Sequence, residues 1–401
     1  MRSLHRPFLS VSLAFVLLGS LLGLLMLPFL AHWKGWEAFD WMGALRAHGP
    51  FQVFGFAVLF TMGIAYQMLG ELLQARHSPG SLRVCLALMT LGTLGQACWP
   101  QRLWPWCQLL SGLIFVAGVA KHRPPTGTVR RNLAHSHFLR WGSLWLLVAL
   151  LLNVLGAPIA RVLELVLWGF LSLYILGVGL RIHPAMLNRS TPPEVVQWLV
   201  LLLWNLGLLA TFSAQLEVAA ALCWSAASLL LVAFLRPWPA SPSKLDWPLT
   251  RYFSWSYGWL VASCLGRLLG PDHWAGAIKH AHASGFVLMM MVGMGLRLVP
   301  AFERKQPGWP AARHLCLWIM VPGTLFRVLG QAGILPRLFI LGGTLQFMGL
   351  LCFAIATAAT LFSQQTAQNA ACISLPWAGP ARRLGEAVPP GGPRIMAEQK
   401  L

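Results

Sequence analysis

Residues 169–185, GFLSLYILGVGLRIHPA, and residues 285–301, GFVLMMMVGMGLRLVPA, share the pattern GF-x6-G-x-GLR-x2-PA at an offset of 116. Each stretch is apolar until its arginine, so each reads as the later part of a helix that lies in hydrocarbon and ends at an interface. Arg181 and Arg297 can snorkel to headgroup level there. Glycines at fixed intervals let a neighbouring helix come close. A weaker third copy begins at Gly55-Phe56 and reaches Gly63, with Gln67 at or near the place of the arginine. Self-similarity of this kind marks an internal repeat.

Working outward, the same apolar character fills the chain. Of 401 residues, 57% are hydrophobic and 10% charged, against about 25% charged in a soluble domain. Runs of about 20 apolar residues span a bilayer as helices. They fall near residues 8–31, 50–73, 82–98, 103–120, 139–156, 160–182, 195–213, 216–235, 252–270, 277–299, 314–333 and 337–362. The expected fold is therefore an all-α membrane protein of about twelve transmembrane helices. Residues 1–365 form the helical domain, and 366–401, rich in Gln, Ala, Pro and Gly, form a disordered cytoplasmic tail. The first run exceeds the h-region of a secretory signal and reads as a span. Trp33, Trp41, Trp99, Trp104, Trp247 and Trp255 gather near helix ends, where indoles anchor in the headgroup zone.

The net charge of +19 does not point to nucleic acid, because the cations sit between apolar runs and not on one soluble face. Of the 30 Lys and Arg residues, 22 fall on the N-terminal side of the membrane and 8 on the other. The positive-inside rule then predicts both termini to be cytoplasmic. The eight cysteines form no CxxC; Cys98 and Cys107 flank one short outer turn where a disulfide could form.

Three histidines carry the functional expectation. His48 lies seven residues before Gly55, and His280 and His282 lie five and three before Gly285. Two repeat-bearing helices thus bring imidazoles to one layer on one side of the membrane. Imidazole nitrogen is a good ligand for haem iron or copper. On a regular helix His280 and His282 point about 200° apart, so one can bind while the other faces a neighbour. His122, His135 and His137 read as a solvated basic loop, and His183 as a surface residue at a cytoplasmic helix end. Arg46 or Lys279, beside the candidate ligands, could pair with the acidic groups of a cofactor. Acidic residues are few and form no ladder of the kind a proton pump needs.

The stretches His48-Gly-Pro-Phe-Gln-Val-Phe-Gly-Phe and His280-Ala-His-Ala-Ser-Gly-Phe-Val-Leu-Met-Met-Met resemble two motifs of the NnrS family of haem- and copper-containing membrane proteins. The earlier family motif is HxHEM followed by Phe-Gly; the later is HAL followed by Gly and a methionine-rich helix. His48 matches the first histidine of the earlier motif, and His280 the histidine of the later one. Pro50 and Phe51 stand where the family has its second histidine and its glutamate, so His282 would have to support the site from the other helix. The resemblance implies a haem protein, with copper as a second metal, in a bacterial inner membrane. It further implies nitric oxide as a ligand, in nitrosative-stress response or denitrification. Other readings are a transporter or permease without a redox cofactor, an assembly factor, or a subunit like those of haem-copper oxidases. The redox partner is not legible.

Overall fold

The computed structural model describes residues 4–30, 35, 39–72, 78–99, 101–120, 134–238 and 247–363; the tail 366–401 and His122 lie outside them. All regular structure among these residues is helical. The long helices are α1 (His5–Leu30), α2 (41–72), α3 (Pro79–Cys98), α4 (Leu103–Ala120), α5 (Ala134–Val154) and α6 (Ile159–Met186). They continue as α7 (Glu194–Ala210), α8 (Glu217–Leu235), α9 (Trp247–Leu269), α10 (Asp272–Glu303), α11 (Ala312–Gln331) and α12 (Leu338–Phe362). Nine of them are long and apolar enough to cross a membrane, and the chain is a multi-pass membrane protein. The other three, α7, α9 and α11, occupy the positions expected of the seventh, ninth and eleventh spans.

Helix α2 differs most from the sequence expectation. It starts at Trp41, where Asp40 caps it by accepting the Gly43 N–H at 2.9 Å, and not at Pro50. The stretch before Pro50 hides about two and a half helical turns. Pro50 is therefore inside the helix, and His48 lies about 10 Å in from its start at 1.5 Å per residue.

Helices α2, α6 and α10 are the central ones: 78%, 72% and 83% of their apolar windows are buried, against 28–44% in the other candidate spans. These are the helices that carry the Gly-Phe pairs. Each widens into π-helix at that pair, over Phe51–Val58, Val166–Leu171 and Ala281–Leu288. A π segment is rare and is commonly found at functional sites. The segment of α6 packs against those of both α2 and α10.

Each pair's glycine takes an aromatic ring from the helix before it in sequence. A Cβ at Gly55 would overlap Phe15, one at Gly169 would lie 2.7 Å from Trp145, and one at Gly285 would overlap Trp259. Eight residues on, Gly63, Gly177 and Gly293 receive Phe8, Phe138 and Tyr252, with a built Cβ 2.7–2.8 Å away. The aromatic partners are spaced seven apart on α1, α5 and α9, so the same two-ring, two-glycine packing occurs three times. It follows from close approach in lipid, where dispersion and not hydrophobicity drives helix association. Outer faces carry exposed apolar side chains such as Leu91, Leu110, Leu202, Leu229 and Ile355, as lipid contact requires.

Candidate functional site

His48 and His280 hold their rings in the same way. His48 Nδ1 lies 2.7 Å from the Gly19 carbonyl of α1, and His280 Nδ1 lies 3.1 Å from the Gly276 carbonyl one turn earlier in its own helix. A carbonyl can only accept, so each Nδ1 carries the proton and each Nε2 keeps its lone pair. Neither Nε2 has a hydrogen-bond partner among the described residues, and both rings are half-buried. Gly23 makes room for the first ring, since a Cβ there would lie 2.8 Å from His48 Cε1. Fixing one nitrogen on a carbonyl while freeing the other is how proteins orient imidazole ligands.

The two histidines and Arg327 of α11 lie within electrostatic reach of one another. Arg327 is 9% exposed, packs its guanidinium 4.0 Å from the Phe339 ring centroid, and leaves Nη1 buried without a partner. The cation beside the histidines is thus Arg327, which lies within α11. Arg46 and Lys279 are exposed, because both point away from the bundle.

His282 belongs elsewhere. Its Nε2 lies 2.9 Å from Ser172 Oγ and its Nδ1 3.2 Å from Ser263 Oγ. Its ring stacks on Trp168, centroids 3.7 Å apart and planes 8° off parallel. Trp168 in turn stacks on Trp224, with Arg267 over both indoles and paired to Glu164. Two positions apart on one helix, His280 and His282 point to opposite sides of α10, and both nitrogens of His282 are already engaged with hydroxyls.

Three other histidines correct the sequence reading. His183 is 1% exposed, within hydrogen-bonding distance of Tyr257 Oη at 3.0 Å and stacked on Phe253, so it is a core residue and not a surface one. His135 and His137 lie on α5, and the His137 ring meets Trp198 at 4.7 Å, so neither is in a loop. His5, which carried no expectation, is fully buried between Gln67 and Glu303, with its Nδ1 3.0 Å from Gln67 Oε1 and its Nε2 2.9 Å from Glu303. Arg6 pairs with Glu303 as well, and Lys305 approaches to 3.8 Å. Gln67, at the arginine position of the third repeat copy, thus faces inward. Cys98 and Cys107 are both free thiols.

Among the described residues, no three His, Cys, Asp or Glu side chains converge to hold a metal. No family model matches the chain, and no curated protein matches it significantly.

Proposed function

We propose that this protein binds haem through His48 and His280 in a bacterial inner membrane, and that it handles nitric oxide or a related small molecule there. The role would be nitrosative-stress response or denitrification, as the resemblance to NnrS proteins implies. One observation carries the reading: two imidazoles from different central helices, each fixed at Nδ1 by a backbone carbonyl, each offering Nε2, beside a buried cation. Two imidazoles suit haem, whose porphyrin supplies the four equatorial nitrogens, better than copper, which usually takes three or more protein ligands. Copper is accordingly the second choice of metal.

The chain's own residues have defined tasks in this reading. Gly19 and Gly276 carbonyls set the tautomer and tilt of the rings, and Gly23 admits the His48 ring. Arg327 holds positive charge where the dielectric is low. When bound, haem would supply an iron centre that takes a diatomic ligand and exchanges an electron. Helices α1, α5 and α9, each docked by two aromatics on the following helix, support a threefold internal repeat of four-helix units. Twelve crossings would put both termini on one side, and the positive-inside rule makes that side cytoplasmic.

The test is direct. Protein purified in detergent from haem-replete cells should show a Soret band and near-stoichiometric iron. His48→Ala and His280→Ala should each lose or rearrange that spectrum. Unchanged haem content in both variants would remove the ligand assignment. A permease without a redox cofactor is favoured by a different feature, the ion-paired cluster around Glu303, whose side chain is 1% exposed. Intramembrane ionisable groups commonly mark transport paths. A colourless, metal-free protein would support that reading.

A further inference from the structure

Several arginines of the described residues meet a carboxylate. Arg6 meets Glu303, and Arg161 and Arg267 meet Glu164. Arg327 meets no carboxylate among the described residues, although it is nine-tenths buried and its Nη1 is orphaned. An unpaired cation taken out of water is strongly unfavourable, and proteins keep one where an anion is to be received. Phe339 offsets part of the cost through its ring face, but a ring cannot accept the remaining guanidinium N–H groups.

The position is built, not accidental. The Arg327 backbone is clamped by α12, where a Cβ at Gly342 would collide with it, so the stem of the side chain is fixed. One turn further along α11, Gln331 leaves its Oε1 buried without a partner, and its amide abuts Gly276, the residue whose carbonyl holds His280. Two orphaned polar side chains on one helix face therefore adjoin the two histidines. A planar guanidinium suits a carboxylate, because two parallel N–H groups match its two oxygens.

We infer that Arg327 is the anion-recognising half of the His48–His280 site and takes a carboxylate carried by the group the histidines hold, of the kind a porphyrin propionate presents. Gln331 lies alongside and bonds the same polar edge, either end of its amide being able to face it. The inference rests on the haem reading, and deepens it by assigning the chain's means of orienting the porphyrin.

The experiment is a titration of the detergent-purified, haem-free protein with iron protoporphyrin IX and, separately, with its dimethyl ester. The wild type should bind the free acid roughly tenfold or more tightly than the ester, the size expected of one charge-assisted pair. Arg327→Gln should bind both alike, with the same elution volume and unfolding midpoint as the wild type confirming a folded variant. Should that variant fail to fold, Arg327→Lys decides the matter: it keeps the charge but loses the paired N–H groups, and should cut the acid-to-ester ratio severalfold. An unchanged ratio in the folded variant overturns the inference. Equal binding of acid and ester by the wild type overturns it too, while leaving haem binding intact. Failure of the wild type to bind either porphyrin removes the haem reading and this inference together. Stabilisation of the porphyrin-free wild type by nitrite, absent in Arg327→Gln, would assign the guanidinium to a free oxyanion and overturn the propionate assignment.

Discussion

Gly169 sits at the centre of the molecule, and replacing it with alanine tests whether the repeated ring-on-glycine packing holds the bundle together. The new Cβ would lie 2.7 Å from Trp145 Cβ and 3.0 Å from Trp145 Cγ, so Trp145 must retreat by about 0.7 Å at its Cβ, backbone included, to reach ordinary contact at 3.4 Å. Trp145 has little freedom to do so. It is 4% exposed and donates Nε1–H to Asn205 Oδ1 at 2.7 Å. Overpacking a filled interior costs about 1–3 kcal/mol, and stretching that hydrogen bond costs about 1 kcal/mol more. Helix propensity returns roughly 0.5–1 kcal/mol for replacing glycine with alanine, so the net loss should be about 1–3 kcal/mol. Gly258→Ala on α9 is the control, because nothing lies within 4 Å of a Cβ built there, and it should be neutral or stabilising. Reversible unfolding of both variants in mixed micelles, followed by tryptophan fluorescence and far-UV circular dichroism, measures the difference. Equal stability of the two variants would refute the packing argument, since the only distinction drawn between them is the ring that the glycine receives.

Other outcomes follow from single residues. His282→Ala should leave haem content unchanged, because its nitrogens face Ser172 and Ser263. It should also lower stability by about 1–3 kcal/mol through the lost stack on Trp168; loss of haem comparable to His48→Ala would put His282 among the ligands. Glu303→Gln removes the carboxylate that Arg6 and His5 share and should destabilise by about 2 kcal/mol, read as a lower midpoint in the same unfolding assay. A membrane-impermeant maleimide should label exposed Cys98 on intact cells and spare buried Cys85, since the proposed orientation puts the end of α3 on the side opposite the N-terminus. Labelling of Cys98 only after lysis would reverse the proposed orientation. Reducing agent should not shift the unfolding midpoint, because Cys98 and Cys107 are free.

Hydrophobicity and length alone determined where the helices lie, because in a bilayer each span must satisfy its own backbone hydrogen bonds and so declares itself locally. The expected spans near 103–120, 216–235 and 337–362 match α4, α8 and α12 within a residue or so at each end. The Gly-Phe repeat was legible as well, since it recurs at a constant offset. What it means physically was not: the π segments at all three pairs, and the rings seven apart that fill the glycine gaps, depend on which helix lies opposite. The polar start of α2 also escaped, because Asp40 caps a turn that hydropathy alone does not register.

The histidines divide along the same line. Composition could place His48 and His280 at one depth, yet only packing could give each a carbonyl for Nδ1 and leave Nε2 open. The two-residue spacing set His280 and His282 on different faces, but which face meets the serines of two other helices only packing could decide. Composition could not find Arg327, whose role lies in what its neighbours lack: a cation in a loop and a cation in a bundle look alike in sequence, and burial without a counter-charge is a property of the assembled helices alone.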